Sequence, residues 1–123
     1  MIGPIDVTFS GTTAVTCYLV KDTLYTVNSG DSRAIVGSKN QKNNKWKARS
    51  LTHDHKPELK REEARIVSKG GRVEPCIDEN GDYIGPNRVW LKDENLPGLA
   101  MSRSLGDLVG ASVGVSWEPG IPI

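Results

Sequence analysis

Three aspartates could carry chemistry in this chain: Asp31 in SGDSR, Asp54 in THDHKP and Asp107 in SLGDL. Each falls at or just beyond the end of a segment that reads as strand, where a rigid scaffold places ligands and catalytic groups. Carboxylates converging with water suit a hard cation such as Mg²⁺ or Mn²⁺, and such an ion can generate hydroxide for attack on phosphate. Each Asp also has a structural explanation, because Asp in a turn bonds nearby backbone N–H groups and Asp54 could cap the helix that follows. Asp31 and Arg33 stand two residues apart in a glycine-containing turn that runs into an apolar strand. They either brace the turn or belong to a site.

Other chemistry is less well supported. His53 and His55 flank Asp54 and share a side if the backbone is extended. A zinc pair would need third and fourth ligands, and none stands out, so loop or packing roles are preferred. GASVG, residues 110–114, matches the G-x-S-x-G pattern with Ser112 in the nucleophile position. That elbow requires a helix after the serine and a histidine downstream. Here VSWEP reads as strand and both histidines lie upstream, so the stretch is read as a small-residue turn entering a strand.

The elements that must position these residues follow from periodicity. Val15, Cys17 and Leu19 alternate with Thr16 and Tyr18, as a half-buried strand requires. A break at Lys21 and Asp22 leads to TLYTVN, which predicts a hairpin. AIVG and KWKARSL, separated by the polar SKNQKNN, extend it into an antiparallel meander. DHKPELKREEARIVSKGG predicts a helix with Pro57 at its first position, Leu59, Ala64, Ile66 and Val67 on one face, and Lys69, Gly70 and Gly71 as a stop. RVEP, NRVWL and VGVSW predict further strands. The class is α+β with a predominantly antiparallel sheet.

At 123 residues, 37% of them hydrophobic, the chain fits one domain. A formal charge of +1 gives no global field toward nucleic acid or acidic lipid. The run Lys39, Lys42, Lys45, Lys47 and Arg49 around Trp46 reads as a solvated hairpin tip, so no nucleic-acid partner is expected. Cys17 and Cys76 read as reduced, which predicts an intracellular protein, cytoplasmic or nuclear. No apolar run of roughly 18 residues and no secretory signal is present, so no membrane partner is expected.

Taken in order, FSGTTAV, NSGDSRAIV, LTHDHKP, EEARIVSKGGRV, RVWL, GLAMSRSLGD and VSWEPGI resemble the middle of the type 2C, metal-dependent serine/threonine protein phosphatases, from about Phe9 to Ile121. The resemblance implies a partial αββα sandwich of antiparallel sheets with at least one flanking helix and a Mn²⁺ or Mg²⁺ pair at one end. It implies a phosphorylated protein as substrate, with metal-bound hydroxide attacking phosphoserine or phosphothreonine directly. By the same resemblance Asp54 lies near the metal centre and can hold a third metal. Asp31 and Arg33 are then mainly architectural, and Ser102, Arg103, Gly106 and Asp107 form a support shell beside the catalytic end.

The family's metal ligands come largely from an Asp-Gly-His-Gly motif before SGTTAV and from Asp-Gly and Asp-Asn motifs after the EP dipeptide. No Asp here is followed by Gly or Asn. The resemblance therefore implies an internal fragment of the catalytic domain, lacking the N-terminal and C-terminal metal-binding segments and inactive alone. Gly120 departs from a usual Glu, and the short LVGASVG connection leaves no room for a long flap. Open sheet edges in such a fragment predict self-association or marginal stability. The alternative is a catalytically inactive phosphatase-like module that binds a phosphoprotein without turnover.

Overall fold

The computed structural model describes residues 5–120. Nine strands and two helices follow in order among them: β1 (Gly11–Thr12), β2 (Ala14–Val20), β3 (Thr23–Ser29), β4 (Ile35–Lys39), β5 (Trp46–Ser50), α1 (Lys60–Ser68), β6 (Gly71–Ile77), β7 (Tyr83–Leu91), β8 (Pro97–Leu99), β9 (Leu105–Gly106) and α2 (Leu108–Ser112). All strand pairs are antiparallel: β1 with β9, β2 with β3, β4 with β5, and the three-stranded β6-β7-β8 sheet. This is the α+β, mainly antiparallel class that the sequence predicts. The core gathers Ile66 of α1, Val89 of β7 and Val113 and Val115 after α2, with Val73, Leu91 and Leu99 packed against them.

The first half is two separate hairpins, not a continuous meander. The β2–β3 hairpin turns at Lys21-Asp22 as expected, with Val20 opposite Thr23. Between β3 and β4, however, the chain does not fold back on itself, because Gly30, at φ +105°, directs it toward residues 52–56 instead. The expected half-buried face of β2 is also absent among the described residues. Val15 (37% exposed) and Leu19 (66%) belong to the apolar set, yet they are open like Tyr18 (65%) on the other face.

α1 starts at Lys60, with Pro57 buried in the turn before it. Its inward stripe is Glu62 and Ile66, one turn apart, whereas Leu59, Ala64 and Val67 face outward. Of the apolar face read from the sequence only Ile66 is buried; Glu62 joins it on the inward stripe because arginine charges compensate it. VGVSW is not a strand. Val113 ends α2, Val113 and Val115 enter the core, and Ser116 makes only a parallel bridge to Arg103. GASVG is thus the end of a short helix, and Gly110 lies so near Leu99 that an added Cβ would come within 2.6 Å of its Cδ1. The end of VSWEPGI, at Ile121, lies outside the described residues.

Candidate functional site

The turn after β3 is joined to residues 52–56 by main-chain and side-chain bonds together. Gly30 turns the chain where an added Cβ would press within 2.3 Å of Thr13 Cγ2. The His55 N–H donates to the Gly30 carbonyl at 3.0 Å, and the Gly30 N–H donates to His55 Nδ1 at 3.1 Å. Asn28 Nδ2 donates to the carbonyls of Gly30 and His53, both at 3.0 Å. Across this junction Lys56 Nζ pairs with Asp31 Oδ2 at 2.6 Å. Arg33 Nε and Nη2 donate to the two oxygens of Asp54, each at 2.8 Å, the forked geometry that a guanidinium offers a carboxylate. These bonds from Arg33 hold the Asp54 carboxyl below its ordinary pKa. Asp31 and Arg33 are therefore braces, and what Arg33 braces is Asp54.

His55 is buried at the centre of the junction. Because Nδ1 accepts from Gly30, a neutral ring carries its proton on Nε2. A Cβ on Gly120 would lie 2.7 Å from that Nε2, so no side chain at position 120 fits without displacing the imidazole. Burial, with the Arg103 charge second, pushes the His55 pKa below its ordinary 6.5. The unfolded chain then binds more protons than the folded one as pH drops below about 6.5, so this stability is present above that pH and lost below it. Urea midpoints measured from pH 7.5 down to about 5 are expected to fall in the parent chain and to change less in His55→Gln. Equal slopes for the two proteins would contradict this.

The third motif attaches through the same histidine, since the Ser102 N–H donates to the His55 carbonyl at 2.9 Å. Ser102 is fully buried, and its hydroxyl donates to Glu62 Oε2 at 2.7 Å. Glu62 also accepts from Arg65 Nη2 (2.7 Å), Arg103 Nε (3.0 Å) and Arg103 Nη2 (2.5 Å). Burial alone would raise the Glu62 pKa, but the bonds from Arg103, Arg65 and Ser102 outweigh it and hold the carboxyl well below its usual range. Arg65 goes on to the carbonyls of Gly114 (2.8 Å) and Ser102 (2.9 Å), and Arg103 to that of Glu118 (2.9 Å). Reading by residue type missed Glu62. The one signal for it was spacing, because it lies four residues before Ile66 on one helical stripe.

Gly106 and Asp107 sit apart from this network. Gly106 faces Gly11 across β1–β9, and Asp107, at φ +48° and 7% exposed, lies over Gly11. Asp107, Asp31 and the buried Ser104, whose Oγ has no partner among the described residues, line one cavity of about 480 Å³. Asp54 does not line it.

Among the described residues no three His, Cys, Asp or Glu side chains converge as a metal site requires. Mg²⁺ wants about six oxygen ligands, and both oxygens of Asp54 are engaged by Arg33. As arranged, these residues do not fit a metal centre. Nor does the histidine pair begin a zinc site, because His55 Nδ1 is engaged by Gly30 and His53 is exposed. Ser112 is exposed and donates to the Val109 carbonyl.

The family model for protein phosphatase 2C matches residues 7–122. The chain is 43% identical over 118 residues to probable protein phosphatase 2C 65 of Arabidopsis thaliana, covering 96% of this chain and 29% of that protein. It is 47% identical over 104 residues to probable protein phosphatase 2C 12 of Oryza sativa subsp. japonica, covering 85% of this chain and 25% of that one. The serine-threonine phosphatase 2C from Toxoplasma gondii superposes with a TM-score of 0.75 at 28% identity, over 91% of this chain and 36% of the other. The chain thus spans under a third of the length of those plant relatives. With a family match over nearly all of its length and relatives above 40% identity, the chain belongs to the protein phosphatase 2C family.

Proposed function

We propose that the chain works in metal-dependent dephosphorylation of phosphoserine and phosphothreonine in proteins, as the part of a phosphatase domain that braces the catalytic end. Its contribution is positioning, with the Mn²⁺ or Mg²⁺ ions held largely by side chains other than those described. The observation that carries this is the meeting of GDSR, DHKP and the Ser102-Arg103 start of SRSLGD in one network, from the Arg33–Asp54 pair through His55 and Ser102 to Glu62. A bidentate guanidinium holds Asp54 ionised and in one orientation, as a carboxylate beside a cation centre must be. The open apolar side chains of β2 and β3, such as Leu19 and Tyr25, support the same reading, since further protein surface would cover them. An intracellular setting, cytoplasmic or nuclear, accords with free Cys17 and Cys76.

The test is a chimera in which this chain replaces the matching segment of a relative with demonstrated activity, assayed on a phosphothreonine peptide with millimolar Mn²⁺. The chimera is expected to be active, and the chain alone inactive. Asp54→Ala in the chimera is expected to lower turnover by about 10- to 100-fold, the usual cost of losing a supporting group at a metal site. A folded but inactive chimera would point instead to a binding module without turnover. Mn²⁺-dependent turnover by the isolated chain, abolished by Asp54→Ala, would show that these residues assemble a working site themselves.

A further inference from the structure

We propose that the cavity between α1 and the segment after α2 is an oxyanion subsite that takes a phosphate group. The cavity, about 460 Å³, is lined by Arg61, Arg65, Arg103, Glu118, Pro119 and Gly120. Three arginines line it against one acidic residue, Glu118, with Glu62 buried behind and paired to two of them. Its lining is therefore net positive. The side chains of Arg65 and Arg103 are only 26% and 12% exposed. Glu62 and the carbonyls of Ser102, Gly114 and Glu118 hold their planes in place. Orientation that is already fixed lowers the entropic cost of binding.

Each guanidinium carries five N–H donors, fifteen for the three. Protein acceptors engage three on Arg65 and three on Arg103, which leaves nine. Arg61 is exposed and makes no side-chain hydrogen bond or ion pair among the described residues. Gly120 adds no side chain to the wall, and the His55 ring behind it leaves no space for one. A tetrahedral phosphate presents its oxygens in several directions and can accept from three guanidiniums lying in different planes, whereas a carboxylate offers two oxygens in one plane. The subsite is distinct from Asp54, whose oxygens are engaged by Arg33, and it does not depend on the proposed activity.

The phosphate could be free or carried on a polypeptide, and one titration separates the two. The purified chain is titrated at pH 7 with inorganic phosphate, with acetate, and with a phosphothreonine peptide and its unphosphorylated form, following amide and arginine Nε–H resonances. Saturable shifts at Arg61, Arg65 and Arg103 are expected with inorganic phosphate and much weaker ones with acetate. Tighter binding of the phosphopeptide identifies a polypeptide-borne group, and equal binding identifies free phosphate; both support the subsite. Arg61→Ala, which leaves the Glu62 network untouched, is expected to weaken binding about tenfold, the scale of one charge-assisted hydrogen bond. Glu118→Gln is expected to tighten it several-fold by removing the opposing charge. No saturation by phosphate, or affinities unmoved by both substitutions in chains with native spectra, would overturn the proposal.

Discussion

Glu62→Ala is expected to cost about 3–5 kcal/mol of folding stability, the range for breaking a buried ion pair from one side. The size follows from what is left behind rather than from the carboxylate itself. Arg65 and Arg103 would keep their partly buried charges without the counterion that accepts three of their hydrogen bonds, and the fully buried Ser102 hydroxyl would lose its acceptor. Against a total stability of roughly 5–15 kcal/mol, such a loss threatens the fold itself. At about 1–3 kcal/mol per molar, the urea midpoint should drop by more than about 1 M. Glu62→Gln keeps the shape and one acceptor but not the charge, so its loss should be smaller. The Glu62 pKa is depressed in the fold, so the charge contributes stability above the unfolded value of 4.5 and loses it as pH falls. The Gln variant should therefore lose less stability than the parent on acidification below about 4.5. A Glu62→Ala midpoint close to the parent's would mean that solvent reaches the two guanidiniums and that the network does not hold SRSLGD to α1.

What the sequence made legible was local. The β2–β3 register follows from alternation over residues 14–29 and a two-residue break, all within one hairpin. The GDSR turn likewise gave Asp31 and Arg33 as architectural, but not what they hold, because their partners Lys56 and Asp54 lie 25 and 21 residues further along the chain. Burial was a different matter. The same alternation that located β2 implied an inward face, yet burial depends on what packs there, and among the described residues nothing covers it. The α1 stripe was read correctly at Ile66 and missed at Glu62 for a related reason. Glu62 is polar by type, and the charge that buries it, Arg103, lies 41 residues away. VGVSW alternates like a strand, but its two core valines are placed by α2 and by the Arg103–Ser116 bridge, not by a sheet. β1, β8 and β9 are two or three residues long, too short to carry any period.

Gly106→Ala should be the second most damaging of these changes, and it tests whether the β1–β9 contact is as tight as its geometry indicates. Gly106 has φ +89°, and a Cβ there would meet the Ser10 carbonyl oxygen at 2.5 Å and Gly11 Cα at 3.1 Å. Left-handed strain of about 1–2 kcal/mol and crowding of about 1–3 kcal/mol together predict a loss of about 2–4 kcal/mol, the reduced entropy of the unfolded chain offsetting part of it. Crowding by backbone atoms cannot be relieved by a rotamer change, so the pairing must open. The Asp107 N–H would then lose the Ser10 carbonyl, 2.8 Å away, and Asp107 would shift from the cavity it shares with Asp31. Gly70→Ala supplies the control. Gly70 has φ +82° but nothing within 4 Å of its added Cβ, so it carries the strain without the crowding and should cost only about 1–2 kcal/mol. The difference between the two variants, read from urea midpoints, isolates the crowding at the glycine pair. If the two losses are equal, the segment around Ser10 yields to the methyl group, and Asp107 is held by something other than the β1–β9 bridge.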